Sequence, residues 1–118
     1  MPISLKRVYE KPGLKDGKRI LVERLWPRPL KKDEAKIDEW LREVAPSTEL
    51  RKWFGHDPAK WDEFKERYWK ELDKKKDIIS KLAKEHLENK VTFVFAAKDQ
   101  QYNNAVALKK YIENQLKT

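Results

Sequence analysis

The stretch VTFVFAA, Val91 to Ala97, decides how this sequence folds. It carries no charge in a chain whose residues are 41% charged, and it is rich in β-branched and aromatic side chains. A short uncharged run of this kind reads as a strand buried on both faces, which places it centrally in a sheet.

Working outward from it, the flanks carry helix signals. Upstream, Asp57-Pro58 offers an N-cap followed by proline at the first helical position. Trp61, Phe64, Tyr68 and Leu72 then make one face, and Ile79, Leu82, Ala83 and His86 continue it, predicting a long helix broken near the DKKKD of residues 73–77. Ser47 caps a short helix carrying Leu50, Trp53 and Phe54, which Gly55 ends by supplying a left-handed residue. Before Pro46, with Asp33 as its N-cap, Ile37, Trp40, Leu41 and Val44 fall at i, i+3, i+4 and i+7, the stripe of another amphipathic helix. Downstream, Asn103 or Asn104 caps a last helix with Ala105, Leu108, Ile112 and Leu116 as its inner stripe.

Two further strands precede the helices. Ile3 to Tyr9 reads as one, and the Pro-Gly and Asp-Gly pairs of EKPGLKDGK mark turns after it. RILVERLW, Arg19 to Trp26, alternates Leu21, Glu23 and Leu25 with Ile20, Val22, Arg24 and Trp26 until Pro27 and Pro29 stop the ladder. If neighbours, these two strands should be antiparallel, because their connection is short and holds no helix. The chain thus reads as one small α/β domain over residues 1–118, with about three strands in a mixed sheet and four to five flanking helices. The helical connection between RILVERLW and VTFVFAA calls for a right-handed crossover joining a parallel pair. The loops ERLWPRPLKK and AAKDQQYNN then leave the same carboxyl edge, where open α/β sheets bind ligands.

Composition removes several chemistries. With no cysteine there is no disulfide, thiolate nucleophile or cysteine-ligated metal. Two histidines thirty positions apart make a zinc site improbable, and no metal or cofactor is expected. The common nucleotide, hydrolase and metalloprotease motifs are missing. MPISLKRVYE lacks a secretion-signal pattern and no apolar run could span a bilayer, so the expected location is cytoplasmic with no membrane partner. The net charge of +8 is uneven: residues 1–32 hold ten Lys or Arg against three acids, a surplus of seven. A one-sided basic cluster draws anions such as phosphates.

The candidate constellation is Arg24, Arg28, Lys98, Asp99 and Asn103, with Trp26 and Tyr102 as walls. Arginine forks suit phosphate or carboxylate, and the last helix's N-terminus adds free N–H groups. Each candidate has a plainer alternative: Arg24 paired within the fold, Lys98 solvated, Asp99 or Asn103 only capping, Trp26 in the core. His56 is a weak general acid or base, and His86 reads as a packed residue. Trp40, Trp53 and Trp61 fall at core spacing, whereas Trp69 lies on a flank where it could serve an oligomer contact.

ERLWPR, APSTELRKWFGHDP, FKERYWKEL and VTFVFAAKD with NNAVAL together resemble the YeaO-like family, called domain of unknown function 488. The resemblance covers nearly the whole chain and implies a small soluble α/β fold with no assigned activity. It adds Ser47, Arg51 and Glu71 to the residues of interest, Ser47 and Arg51 as ligand contacts. The chain departs from the family in having Glu23 before LWPR, Pro29 after it in place of glycine, and Tyr102 before Asn103 in place of histidine. Pro29 forbids the positive φ that glycine allows, which predicts a stiffer loop after Arg28. The expected function is binding of a phosphate-bearing ligand, a nucleotide or nucleic acid, by a monomer or homodimer. The alternatives are a hydrolase or transferase with Asp99 or Glu71 as general base, and a protein-interaction or regulatory module.

Overall fold

In the computed structural model, which describes residues 3–28 and 30–116, four short strands form one sheet. β1 (Ser4–Arg7), β2 (Lys18–Leu21), β3 (Glu39–Trp40) and β4 (Val91–Phe95) lie in the order β1-β4-β2-β3, and every pairing is parallel. Phe93 of β4 is flanked by Leu5 on one side and Ile20 on the other. All five residues of β4 are buried, as an uncharged central strand requires.

The first two strands are therefore not neighbours, because β4 lies between them, and the antiparallel arrangement expected of adjacent strands does not arise. Residues 8–17 carry the chain back to the amino end of the sheet with only a 3-10 turn at Leu14–Asp16. Two features make so short a return feasible. Gly17 takes φ 67° and ψ −141°, where a Cβ would collide with the Lys90 carbonyl just before β4. Asp16 ties the turn down, accepting from Lys6 Nζ at 3.1 Å and from Arg19 Nη1 at 2.6 Å, while its carbonyl accepts from Thr92 Oγ1 at 2.6 Å.

The helix expected across Ile37–Val44 is replaced by a short α1 (Lys32–Ala35), the two-residue β3 and a 3-10 turn at Arg42–Val44. Arg19, 3% exposed, is the cause. Its Nη2 donates to the Ala35 carbonyl at 2.8 Å and its Nε to the Lys36 carbonyl at 3.1 Å, which takes both oxygens away from any helical ladder. Lys36 turns left-handed at φ 52°, and Asp38 N then donates to the Arg19 carbonyl at 2.9 Å, starting an edge strand beside β2. The apolar stripe is split between two cores. Ile37 and Trp40 pack with Leu21 and Val94 on one face of the sheet, whereas Leu41 and Val44 join the larger core on the other.

That larger core receives α2 (Thr48–Phe54), α3 (Trp61–Asp73), α4 (Lys76–Glu88) and α5 (Asn104–Leu116). Their boundaries follow local chemistry. Ser47 Oγ accepts from Leu50 N at 3.2 Å, and Gly55 closes α2 at φ 53°. Asp57 Oδ1 accepts from Ala59 N at 3.0 Å, and Pro58 opens a 3-10 turn that runs into α3. The long helix breaks at Lys74 and Lys75, within DKKKD. Asn103 Oδ1 accepts from Val106 N at 3.0 Å to start α5. Trp69, on the flank of α3, spends its indole N–H on the Ala107 carbonyl at 3.0 Å and so joins α3 to α5 within the chain. The α/β class read from the sequence stands, with five helices and a fourth strand that pairs in parallel. Among the described residues no helix is long and apolar enough to cross a membrane.

Candidate functional site

Because β2 and β4 are parallel, the chain leaves both at one edge of the sheet. The ladder's last rung there is Val22 N to the Val94 carbonyl at 3.1 Å. Beyond it side chains take over: Glu23 Oε2 accepts from Ala96 N at 3.1 Å, and Asn104 Nδ2 donates to the Val22 carbonyl at 2.7 Å. ERLWPRPLKK and AAKDQQYNN are thereby joined, as their placement on one carboxyl edge predicts. With backbone pairing ended, a cleft of about 420 Å³ opens between this edge and α2. Glu23, Ala96 and Ala97 line it from the sheet, while Arg51, Lys52, Phe54 and His56 line it from α2 and its C-terminal turn. Pro46, Phe64, Asn103 and Asn104 complete the wall.

Glu23 and Arg51 are its less exposed charged side chains, and the exposed Lys52 adds a second cation. Burial pushes the Glu23 carboxyl above the usual value, against the pull of the Ala96 N–H and the positive charge of Arg51. The Arg51 side chain makes no hydrogen bond to a described residue, and its Nε is shut away from solvent. Beneath them the buried Tyr68 hydroxyl donates to the Val44 carbonyl. Burial raises the phenol well above its ordinary value, and the charges of Glu23 and Glu71 add to this, so it stays neutral. A guanidinium with unspent donors, a carboxylate that can accept and the apolar rings of Phe54 and Phe64 can together hold a ligand that is anionic at one end and flat elsewhere.

Of the residues named from the sequence, Arg51, Asn103 and His56 line this cleft. Asn103 is structural in its bonds, with Oδ1 on Val106 N and Nδ2 on the Asp99 carbonyl at 2.8 Å. His56 is exposed, in a left-handed turn at φ 57°, with its ring 6.0 Å from that of Phe54.

The other candidates are placed elsewhere. Arg24 donates to the carbonyls of Pro46 at 3.3 Å and Ala45 at 3.2 Å, fixing the entry to α2. Ser47 and Glu71 bind each other through Ser47 N to Oε1 at 2.8 Å and Ser47 Oγ to Oε2 at 2.7 Å, so this carboxylate supports a helix cap. Asp99 accepts from the N–H groups of Tyr102 and Gln101, which hold its carboxyl below the usual value and make it a poor base. Trp26 spends its N–H on the Leu30 carbonyl at 2.8 Å and packs edge-on against Trp40 in the smaller core. Tyr102 lies edge-on to Trp61, with ring centres 5.4 Å apart. Arg28 and Lys98 are exposed, and Pro29, with its predicted effect on the loop, lies outside the described residues. No group of His, Asp and Glu able to hold a metal occurs among the described residues. Lys52 was not singled out by sequence reasoning, Asn104 was named only as a possible helix cap, and Glu23 only as a departure from the family. The available signal was Glu23 itself, a carboxylate directly after the apolar run Ile20–Val22.

A family model described as the inactive DUF488-N3 subclade matches residues 2–118. The chain is 39% identical over 114 residues to the uncharacterized protein YeaO of Escherichia coli (strain K12), covering 97% of this chain and 99% of that one. It is 46% identical over 70 residues to the uncharacterized protein Rv3073c of Mycobacterium tuberculosis (strain ATCC 25618 / H37Rv), a match spanning 59% of each. No solved structure matches it. With a family model aligned over residues 2–118 and a relative aligned along nearly all of both chains, this protein belongs to the DUF488-N3i family, the YeaO-like proteins.

Proposed function

We propose that the cleft binds a phosphate-bearing ligand, a nucleotide or part of a nucleic acid, and holds it without turnover. The observation that carries this reading is Arg51, which lines the cleft and whose side chain, its buried Nε included, has no hydrogen-bond partner among the described residues. Phosphate matches such a fork, because two of its oxygens can accept parallel N–H bonds. Phe54 and Phe64 offer an apolar wall for a base, and about 420 Å³ is within the range of small-molecule sites. The net charge of +8 favours capture of an anion. Binding is favoured over catalysis because Glu71 and Asp99 are engaged in structural hydrogen bonds, and because the matching subclade is described as inactive. We place the protein's work in the cytoplasm, as a monomer or homodimer.

Thermal unfolding in the presence of nucleoside mono-, di- and triphosphates tests the reading. A ligand at a hundred times its Kd should add about 2.7 kcal/mol, which for a domain of this size is roughly 10 °C. Arg51→Ala should abolish the shift while the unliganded protein stays folded. A wild-type protein that no nucleotide stabilises overturns the proposal.

A further inference from the structure

The same sheet edge carries a second basic group beyond the cleft. At the end of β1, Arg7 Nε donates to the Ala97 carbonyl at 3.0 Å, and Ala97 itself lines the cleft. The Arg7 guanidinium lies 5.0 Å from the centre of the Tyr9 ring, which is left 43% exposed. Tyr9 in turn donates its hydroxyl to the Arg28 carbonyl at 2.9 Å. The end of β1 and the loops after β2 and β4 are thus stitched together around one aromatic face, with Arg28 and Lys98 exposed on the two loops.

None of Arg7, Arg28, Lys98 or the cleft residue Lys52 forms an ion pair with a described residue. The nearby acids are engaged by backbone N–H groups, Glu10 accepting from Arg7 N at 2.7 Å and Asp99 accepting from its own turn. Of the other N-terminal cations, Lys6, Lys18 and Arg19 pair with acids and Arg24 bonds carbonyls. Arg7, Arg28 and Lys98 thus carry charge unpaired with any acid among the described residues, beside an exposed aromatic ring and the cleft.

We infer that this edge is a track for single-stranded nucleic acid, with one nucleotide in the cleft, a neighbouring base stacked on Tyr9 and the intervening phosphates against Arg7, Arg28 and Lys98. The inference rests on the reading of the cleft as a phosphate-bearing ligand site and names the ligand as a polymer. Unpaired bases can stack on an exposed ring, and a positive groove follows their backbone without reading sequence. A duplex fits poorly, since a nucleotide must leave its stack to enter the cleft.

Fluorescence anisotropy with labelled random-sequence DNA and RNA hexanucleotides, set beside binding of mononucleotides, tests the track. One of the hexanucleotides should bind at least tenfold more tightly than any mononucleotide. Its log–log salt slope should be about −2 to −3, from roughly three to four phosphates at about −0.7 each. Tyr9→Ala, and separately Arg28→Glu with Lys98→Glu, should each weaken hexanucleotide binding about tenfold and leave mononucleotide binding unchanged. Arg51→Ala should weaken both. Hexanucleotides that bind no more tightly than mononucleotides would remove the track and leave the cleft reading standing. A duplex or polyglutamate that competes as well as the single strand would also overturn it, the latter in favour of an acidic protein partner. Absence of binding by both ligand types would overturn the two readings together.

Discussion

Replacing Glu71 by alanine should cost this protein much of its stability, because the carboxylate holds the start of α2 from the distance of α3. Its two oxygens accept from Ser47 N at 2.8 Å and Ser47 Oγ at 2.7 Å, and the same Oγ accepts from Leu50 N. Hydrogen bonds to a charged group contribute about 1.5–3 kcal/mol each. Both residues are half-buried, so water compensates part of the loss and the lower figure applies, giving about 3 kcal/mol for the pair. At about 2.1 cal/mol/K per residue, a domain of 118 residues should then melt roughly 10 °C lower. Glu71→Gln keeps the acceptor for Ser47 N and should cost about 1 kcal/mol, whereas Ser47→Ala should cost about 1–2 kcal/mol as a lost cap. Ser47→Ala combined with Glu71→Ala should fall short of the sum by about 1 kcal/mol, since the Oγ bond is counted in both. Urea denaturation followed by circular dichroism reads all four variants. Glu71→Ala within 0.5 kcal/mol of the wild type, or strict additivity in the double variant, would refute the reasoning.

Two glycines that both sit at positive φ should respond differently to alanine. Gly17→Ala adds a collision with the Lys90 carbonyl to backbone strain and should cost more than about 2 kcal/mol, whereas Gly55→Ala, with no atom nearer than 3.7 Å, should cost about 1 kcal/mol by the same denaturation assay. Glu23 predicts a pH dependence. Its folded-state carboxyl titrates above the unfolded one, so the native state binds the proton more tightly and stability falls as pH rises through that window. Unfolding curves between pH 4 and 8 should show the wild type losing stability relative to Glu23→Gln as pH rises from just above the ordinary glutamate value; a difference that stays flat with pH would contradict the assignment.

What could be read from the sequence was what short-range chemistry decides. Asp57-Pro58, Ser47 with Gly55, the break in DKKKD and the uncharged Val91–Phe95 each determine their own backbone within a few residues, and all appear where expected. What could not be read depends on distant partners. The spacing of Ile37, Trp40, Leu41 and Val44 satisfies a helix, but Arg19 captures the carbonyls on which that helix would depend. The parallel return from β1 to β2 rests on Gly17 fitting against Lys90, a contact between residues far apart in the chain. The site follows the same pattern. The carboxyl edge and Arg51 were accessible from pattern and resemblance, yet which arginines are spent was not, because the carbonyls of Ala45 and Pro46 that occupy Arg24 carry no mark in the sequence. Glu23 was hidden for a related reason: only the Ala96 N–H and the nearby Arg51, both distant in the chain, reveal it as enclosed.

The brevity of β3 has a consequence for the chain outside its native state. A sheet rim is a row of open amides on which another molecule can zip, and Val91–Phe95 is the kind of uncharged segment that feeds fibres when exposed. Here one rim is two residues long and the other is the four-residue SLKR, half of it basic. Neither gives an incoming strand enough rungs to hold, so the aggregation-prone segment stays sealed for as long as β1 and β2 remain seated against it.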